Sequence, residues 1–302
     1  MSYTSLISVG SVDAAILLLS APGNIFILLV NILDAVHLKT LNLSDQLICS
    51  ISAVNMLQQF FYVADFVFLA LTNEESDDTV TMYFSILFRT LTSCNIWLST
   101  WLCVHFCIKL VNINHRCYIY LQKVFPKTFK WILISTFLGS FLISFPTMWS
   151  SLKLTSYNNT FMEYGQPVYE KDLFSSALHS VTSPVAILVL FTSALTIIIA
   201  LCRHMKRIQD NAAGSRTPSM EAHVRATRTI LCLLVIYVFY FIDGLNCFPV
   251  NYQKIFEYFT LTSLALGQIL SPWILIKGNS KLDKALQGLL HGCSCPRLSN
   301  DA

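Results

Sequence analysis

Residues 14–33 read AAILLLSAPGNIFILLVNIL, twenty positions without a single charged side chain. A hydrocarbon core about 30 Å thick takes roughly 20 residues of helix to cross, because every buried backbone N–H and C=O must be satisfied within the segment. Six more apolar runs follow, so spans are expected at about 7–33, 46–71, 80–108, 129–150, 174–202, 229–248 and 254–276. Composition agrees: 54% of the residues are hydrophobic and 12% are charged, against about a quarter charged in a soluble domain. The sequence predicts an all-α membrane bundle of seven crossings. Pro22-Gly23-Asn24 is expected to interrupt the first of them.

Orientation follows from Lys and Arg, which are held on the cytoplasmic side during insertion. The connection after the third run carries Lys109, Arg116, Lys123, Lys127 and Lys130, and no acid. The one after the fifth carries Arg203, Lys206, Arg207, Arg216, Arg225 and Arg228; the tail adds Lys277, Lys281, Lys284 and Arg297. Glu74, Glu75, Asp77 and Asp78 cluster in the first connection of the other side. The N-terminus is therefore expected outside and a short tail inside. Asn158-Asn159-Thr160, in the second outer loop, is then a reachable glycosylation sequon, whereas Asn42-Leu43-Ser44 falls inside and should stay bare. No cleavable leader is apparent ahead of the first run, so a ligand site is expected between the helices rather than on a separate outer domain.

Six of the ten cysteines (Cys49, Cys94, Cys103, Cys107, Cys202, Cys232) fall inside predicted spans, where a small apolar packing role is expected. The outer loop 151–173 has none, so no bridge can reach it. Cys293 and Cys295 follow a short amphipathic stretch; unmodified thiols, acylation and a weak His291-x-Cys-x-Cys metal motif are the alternatives. No H-E-x-x-H, G-x-S-x-G or glycine-rich phosphate loop is present, and an enzyme, a resident cofactor or a structural metal is not expected. No inverted repeat of the transporter kind is visible. The basic segments do not resemble a nucleic-acid patch and read as topology anchors.

Depth can be counted from the inner basic boundaries. Twelve residues outward, about 18 Å, lead from Lys109 to Trp97, from Arg228 to Tyr240, from Lys277 to Ala265 and from Arg203 to Phe191. Helical spacing places Trp97, Thr100, Trp101 and Val104 on one stripe, Tyr240 with Asp243 on another, and Leu261, Leu264, Ala265 and Gln268 on a third. Aromatic walls with a few polar groups suit a small ligand, although aromatics in membrane bundles also serve simply as packing. Asp65 and Asp243 lie toward the outer rim and could pair a cationic ligand, or merely reach water. Asn24 is expected to hydrogen-bond a neighbouring helix.

Several stretches carry a resemblance: Gly23-Asn24 through Asn31 to Asp34, then Leu43-Ser44-Asp45; Trp97-Leu98-Ser99-Thr100 and Lys109 to His115; Arg203-His204-Met205-Lys206-Arg207; Ala222-His223; Tyr240-Phe241; and Lys277-Gly278-Asn279-Ser280-Lys281-Leu282. As a set, in this order, they strongly resemble the type 2 (bitter) taste receptors, a G-protein-coupled receptor family. The Asp-Arg-Tyr and Asn-Pro-x-x-Tyr signatures of rhodopsin-like receptors are absent. The chain departs from the family pattern at Asn55, where Arg is usual, at Ser271, where His is usual, and at Trp101, where a smaller residue is expected.

The resemblance implies a plasma-membrane, multi-pass receptor over 1–290, including a short juxtamembrane helix, with a cytoplasmic tail over 291–302. It would bind bitter-type small molecules in a pocket lined by Trp97 and Tyr240; taken with the depth count and the stripes, the expected site comprises Trp97, Thr100, Trp101, Tyr240, Asp243, Leu261, Ala265 and Asp65. Its partners would be the lipid bilayer and a heterotrimeric, gustducin-like G protein facing Lys109, His204, Lys206, Arg207 and Lys281. A small-solute transporter or channel and a pheromone (vomeronasal-type) receptor are the alternative readings.

Overall fold

The computed structural model describes residues 3–38, 41–71, 78–110, 116–158, 173–211, 218–244 and 253–292. These form α1 (Tyr3–Leu38), α2 (Leu43–Leu71), α3 (Asp78–Leu110), α4 (Arg116–Asn158), α5 (Leu173–Asn211), α6 (Pro218–Gly244), α7 (Gln253–Gly278) and the short α8 (Ser280–Gly292). No strand occurs among the described residues. Among the described residues, four helices contain stretches long and apolar enough to cross a membrane: Ala14–His37, Leu43–Phe68, Ile86–Lys109 and Tyr118–Phe145.

Each helix extends past the inner, basic end of the apolar run that predicts it, most where α4 begins at Arg116 and α5 continues to Asn211; α6 ends at Gly244, and 245–248 of its expected span lie outside the described residues. Hydropathy locates the solvent boundary; the hydrogen-bonded helix continues past it, since water satisfies the side chains while the backbone stays paired.

The expected interruption of α1 is corrected. The helix runs unbroken through Pro22, with Ser20 Oγ donating to Ile16 O at 2.6 Å and Asn24 Nδ2 to Ser20 O at 3.1 Å around the imino residue. Gly23 serves packing instead, since a Cβ there would lie 3.0 Å from Pro272 of α7. Asn24, expected to reach another helix, bonds within its own turn, and its Oδ1 has no partner among the described residues.

α3 is the central post, touching α2, α4, α5 and α6. Leu98, Leu102 and Cys103 are fully buried there, as are Leu47, Ile51 and Leu190 on its neighbours and Ile27 on α1. The outward faces are apolar: Leu29 and Leu33 of α1, Leu138 and Leu142 of α4 and Leu188 of α5 are exposed, as a surface solvated by lipid requires. The six span cysteines are free thiols; Cys94 and Cys103 are buried and Cys202 is exposed.

Candidate functional site

Polar contacts fix how α3 is turned. Asn95 Nδ2 donates to Asn55 Oδ1 at 2.7 Å, and Gln58 Nε2 to Thr92 Oγ1 at 3.1 Å, so the Thr92–Asn95 side faces α2. Thr100 Oγ1 lies 2.9 Å from Ile96 O and 3.4 Å from Ala186 O, which turns that residue toward α5, fully buried. Trp101 Nε1 donates to Thr136 Oγ1 at 3.0 Å, which turns it toward α4. Trp97 sits one turn outward on the same stripe, its ring 6.2 Å from that of Trp101. The stripe continues through Phe125, whose ring is 6.4 Å from Trp101 and stacks on His105 at 6.0 Å.

Trp97 and Trp101 therefore share a stripe, as their spacing predicts, and Trp101 turns that stripe toward α4. Thr100 faces α5 instead, on the other side of Trp97. The reason is that α3 is surrounded: spacing groups residues by face, while the identity of each face depends on which helix covers it.

Asn55, at the position that departs from the bitter-receptor pattern, is 1% exposed and pairs with Asn95, a contact of the interhelical kind worth about 0.6 kcal/mol on average. One turn outward, Gln59 donates to Ser20 Oγ across the α1–α2 contact, and its Oε1 has no partner among the described residues. It lines, with Ile16, Tyr62 and Gln268, a cavity of about 10 Å³ between α1, α2 and α7, room for about one water. Ser271 is buried nearby on α7. Of the other expected site residues, Asp65 and Ala265 are half-buried. Tyr240 and Asp243 lie on α6 and Leu261 on α7, their side chains outside the described residues.

The ion pairs among the described residues gather at the inner face. Asn279 ends α7 and starts α8: its N–H bonds Leu275 O at 3.1 Å, and its Oδ1 accepts from Lys281 N at 3.0 Å as an N-cap. Its Nδ2 donates to Asp45 Oδ1 of α2 at 2.7 Å. This cap aims Lys281 into the α1–α2 corner, where its ammonium lies 2.5 Å from Asp34 Oδ2, 3.3 Å from Asp45 Oδ2 and 2.9 Å from Asn31 Oδ1. Lys281 thus ties α8 to α1 and α2 at the inner face.

A second cluster surrounds Asp283, 13% exposed at its side chain, which accepts from Lys277 Nζ at 2.8 Å and from Arg225 Nη1 of α6 at 3.1 Å. The hydrogen bond from Lys277, with the charges of Lys277 and Arg225, holds its carboxyl below the usual carboxylate range. Sequence reasoning missed this cluster; the available signal was an acid standing in an otherwise basic segment. Lys109 is exposed at the end of α3, and the side chains of His204, Lys206 and Arg207 lie outside the described residues, as does that of Asn158, the last residue of α4.

A family model described as "Taste receptor protein (TAS2R)" matches residues 2–294. The chain belongs to the taste receptor protein family. It is 28% identical to taste receptor type 2 member 41 of Pan paniscus over 286 residues, 90% of this chain and 92% of that one. Against member 41 of Rattus norvegicus the figure is 28% over 247 residues, 78% of each chain. Against member 40 of Gallus gallus it is 24% over 281 residues, 89% of each. This taste receptor family member is a helical membrane protein, and its polar ties at Asn31, Asp45, Asn279 and Lys281 fall within stretches that carry the sequence resemblance.

Proposed function

We propose that the chain is a bitter taste receptor of the plasma membrane that binds small molecules from the outer side and activates a heterotrimeric, gustducin-like G protein. The observation that carries the reading is the family match along residues 2–294 of a helical bundle. A ligand that binds better to one arrangement of the helices shifts the population toward it, and only that difference in affinity drives the response. The agonist site is read between α2, α3, α6 and α7, with Tyr240, Asp243, Leu261, Ala265 and Asp65 as its lining. Thr92 and Gln58, which meet at 3.1 Å on the α2 side of α3, add polar groups to it. Trp101 and Thr100 bond α4 and α5, and Trp97, on the stripe of Trp101, is read with them as seating α3.

Inside, Lys109, His204, Lys206 and Arg207 are read as G-protein contacts, with Lys281 and Asp283 fixing the helix ends that form the docking face. The test is a chemically diverse bitter panel applied to cells expressing the chain with a calcium-coupled G protein. Agonist-dependent calcium release that depends on the G protein supports the reading. No response at demonstrated surface expression, over a panel that activates other family members, counts against it.

A further inference from the structure

α4 carries no Asp or Glu along its whole length, Arg116–Asn158. At the 100° per residue of an α-helix, Arg116, Lys123, Lys127 and Lys130 all point within about 60° of one direction. All four are exposed, and none forms an ion pair among the described residues. Tyr120 and Trp131 flank the stripe and are 69% and 72% exposed. The opposite side of the same turns is the packed one: Tyr118 Oη donates to Cys107 O at 2.6 Å, Gln122 Nε2 to Ile108 O at 2.9 Å, and Phe125 stacks on His105. The lysines therefore look away from the bundle.

Two further features decide what covers the stripe. The contacts with Ile108 and His105 set Lys123 and Lys127 beside the last two turns of α3, not beyond them. Outward, the same face continues without a break into Ile134, Leu138 and Phe141, all exposed and apolar. A surface that is cationic at its inner end, aromatic at Trp131 and apolar beyond matches a phospholipid along its length. Ammonium donors meet the phosphate, the indole sits at the headgroup level, and the acyl chains lie on the aliphatic face. The cytoplasmic leaflet supplies the anions, since it carries the negative lipids. A soluble acidic protein could approach Arg116 but would have to enter the headgroup layer to cover Lys130.

We propose that the Arg116–Lys130 stripe of α4 is a binding site for anionic phospholipid headgroups of the inner leaflet. The stripe spans about 21 Å along the helix, enough for more than one headgroup, with Lys123, Lys127 and Lys130 as the main donors.

The test uses the purified full chain reconstituted in phosphatidylcholine vesicles containing spin-labelled phosphatidylserine or spin-labelled phosphatidylcholine, with the motionally restricted fraction read by electron spin resonance. The native chain should retain phosphatidylserine in preference to phosphatidylcholine, and raised salt should erode the preference. Lys127→Gln should lower it by about fivefold, and Lys123→Gln/Lys127→Gln/Lys130→Gln by about fivefold per charge removed. The triple Lys→Arg variant should keep it, which separates loss of charge from loss of fold. Absence of a preference in the native chain overturns the proposal, as does an unchanged preference in the Gln variants. If the Gln variants keep their lipid preference but lose signalling, the stripe serves an acidic protein and the lipid site is likewise rejected.

Discussion

Arg225 of α6 and Asp283 of α8 meet at 3.1 Å, and Lys277 of α7 closes on the same carboxylate at 2.8 Å. One acid thus joins three inner helix ends. Asp283→Asn removes the charge that holds Arg225, favouring arrangements in which α6 stands away from α8. A partly exposed pair of this kind is worth about 1 kcal/mol, or about a fivefold shift in a two-state equilibrium. Agonist-independent signalling, normalised to surface expression, should rise by about that factor, and Arg225→Gln should do the same. Unchanged basal activity in both variants would mean the two helix ends do not separate during signalling.

The acid dependence of that clamp follows from its sign. Asp283 has a carboxyl held below the ordinary carboxylate value, so its contribution is fully present above about 3.9 and is lost only as pH falls through the lowered value. Basal signalling should therefore stay flat between about pH 5 and 8 at the intracellular face, even though Asp283→Asn raises it.

The Lys281 ammonium is shared between the carboxylates of Asp34 and Asp45. Lys281→Met leaves two carboxylates side by side, with the side chain of Asp45 only 6% exposed. The cost should be about 1–3 kcal/mol, below that of a fully buried pair because Asp34 and Lys281 remain about one-third exposed. Thermal unfolding of the detergent-solubilised receptor should shift down measurably, and Lys281→Arg should recover part of the loss. Equal stability of Lys281→Met and the native chain would show that the cluster is electrostatically idle.

The fold class was legible because it rests on one signal, uncharged runs long enough to span a bilayer, and Trp97 and Trp101 fell on a common stripe because 3.6-residue spacing is a local property. The direction of that stripe was not legible. It depends on Thr136 of α4, thirty-five residues further on, and on Phe125, and no local rule couples those positions to α3. The inner ties were half legible: Lys281 and Asp45 stood out as motif residues, but a bond spanning 236 positions becomes visible only once α8 is placed beneath α1 and α2. Pro22 misled for a related reason, since Ser20 and Asn24 bond carbonyls around it and the adjacent glycine meets α7.

Gly278 closes α7 against α6, and a Cβ there would overlap the side chain of Thr229. Thr229 is 4% exposed and bonds Arg225 O at 3.0 Å, so it cannot swing clear without losing that contact. Gly278→Ala should cost about 1–3 kcal/mol as overpacking. Thr229→Ala alone should cost less, and the double variant should be more stable than the two single effects predict by addition. Simple additivity in thermal unfolding would show that the two side chains do not compete for the same space.

The turn of α3 separates packing residues from ligand residues, and a pair of substitutions reads the difference. Thr136→Val keeps volume but leaves the Trp101 N–H without its acceptor, which should cost about 1 kcal/mol of stability. Because that bond lies on the α4 side, agonist potency at matched surface expression should change by less than about threefold. Trp97→Phe, on the same stripe, should behave alike, losing part of the ring contact with Trp101 and little potency. Tyr240 on α6 is placed among the ligand-lining residues, so Tyr240→Ala should shift potency by about tenfold or more for agonists that contact it, the equivalent of 1.4 kcal/mol. Tyr240→Phe isolates the hydroxyl and should cost about 0.5–1.5 kcal/mol where that group bonds the ligand. If instead Trp97→Phe shifts potency across several unrelated agonists while Tyr240→Ala leaves it untouched, the agonist site lies on the α4 side of α3 and the assignment of faces made from Thr92, Asn95 and Thr100 does not describe ligand binding.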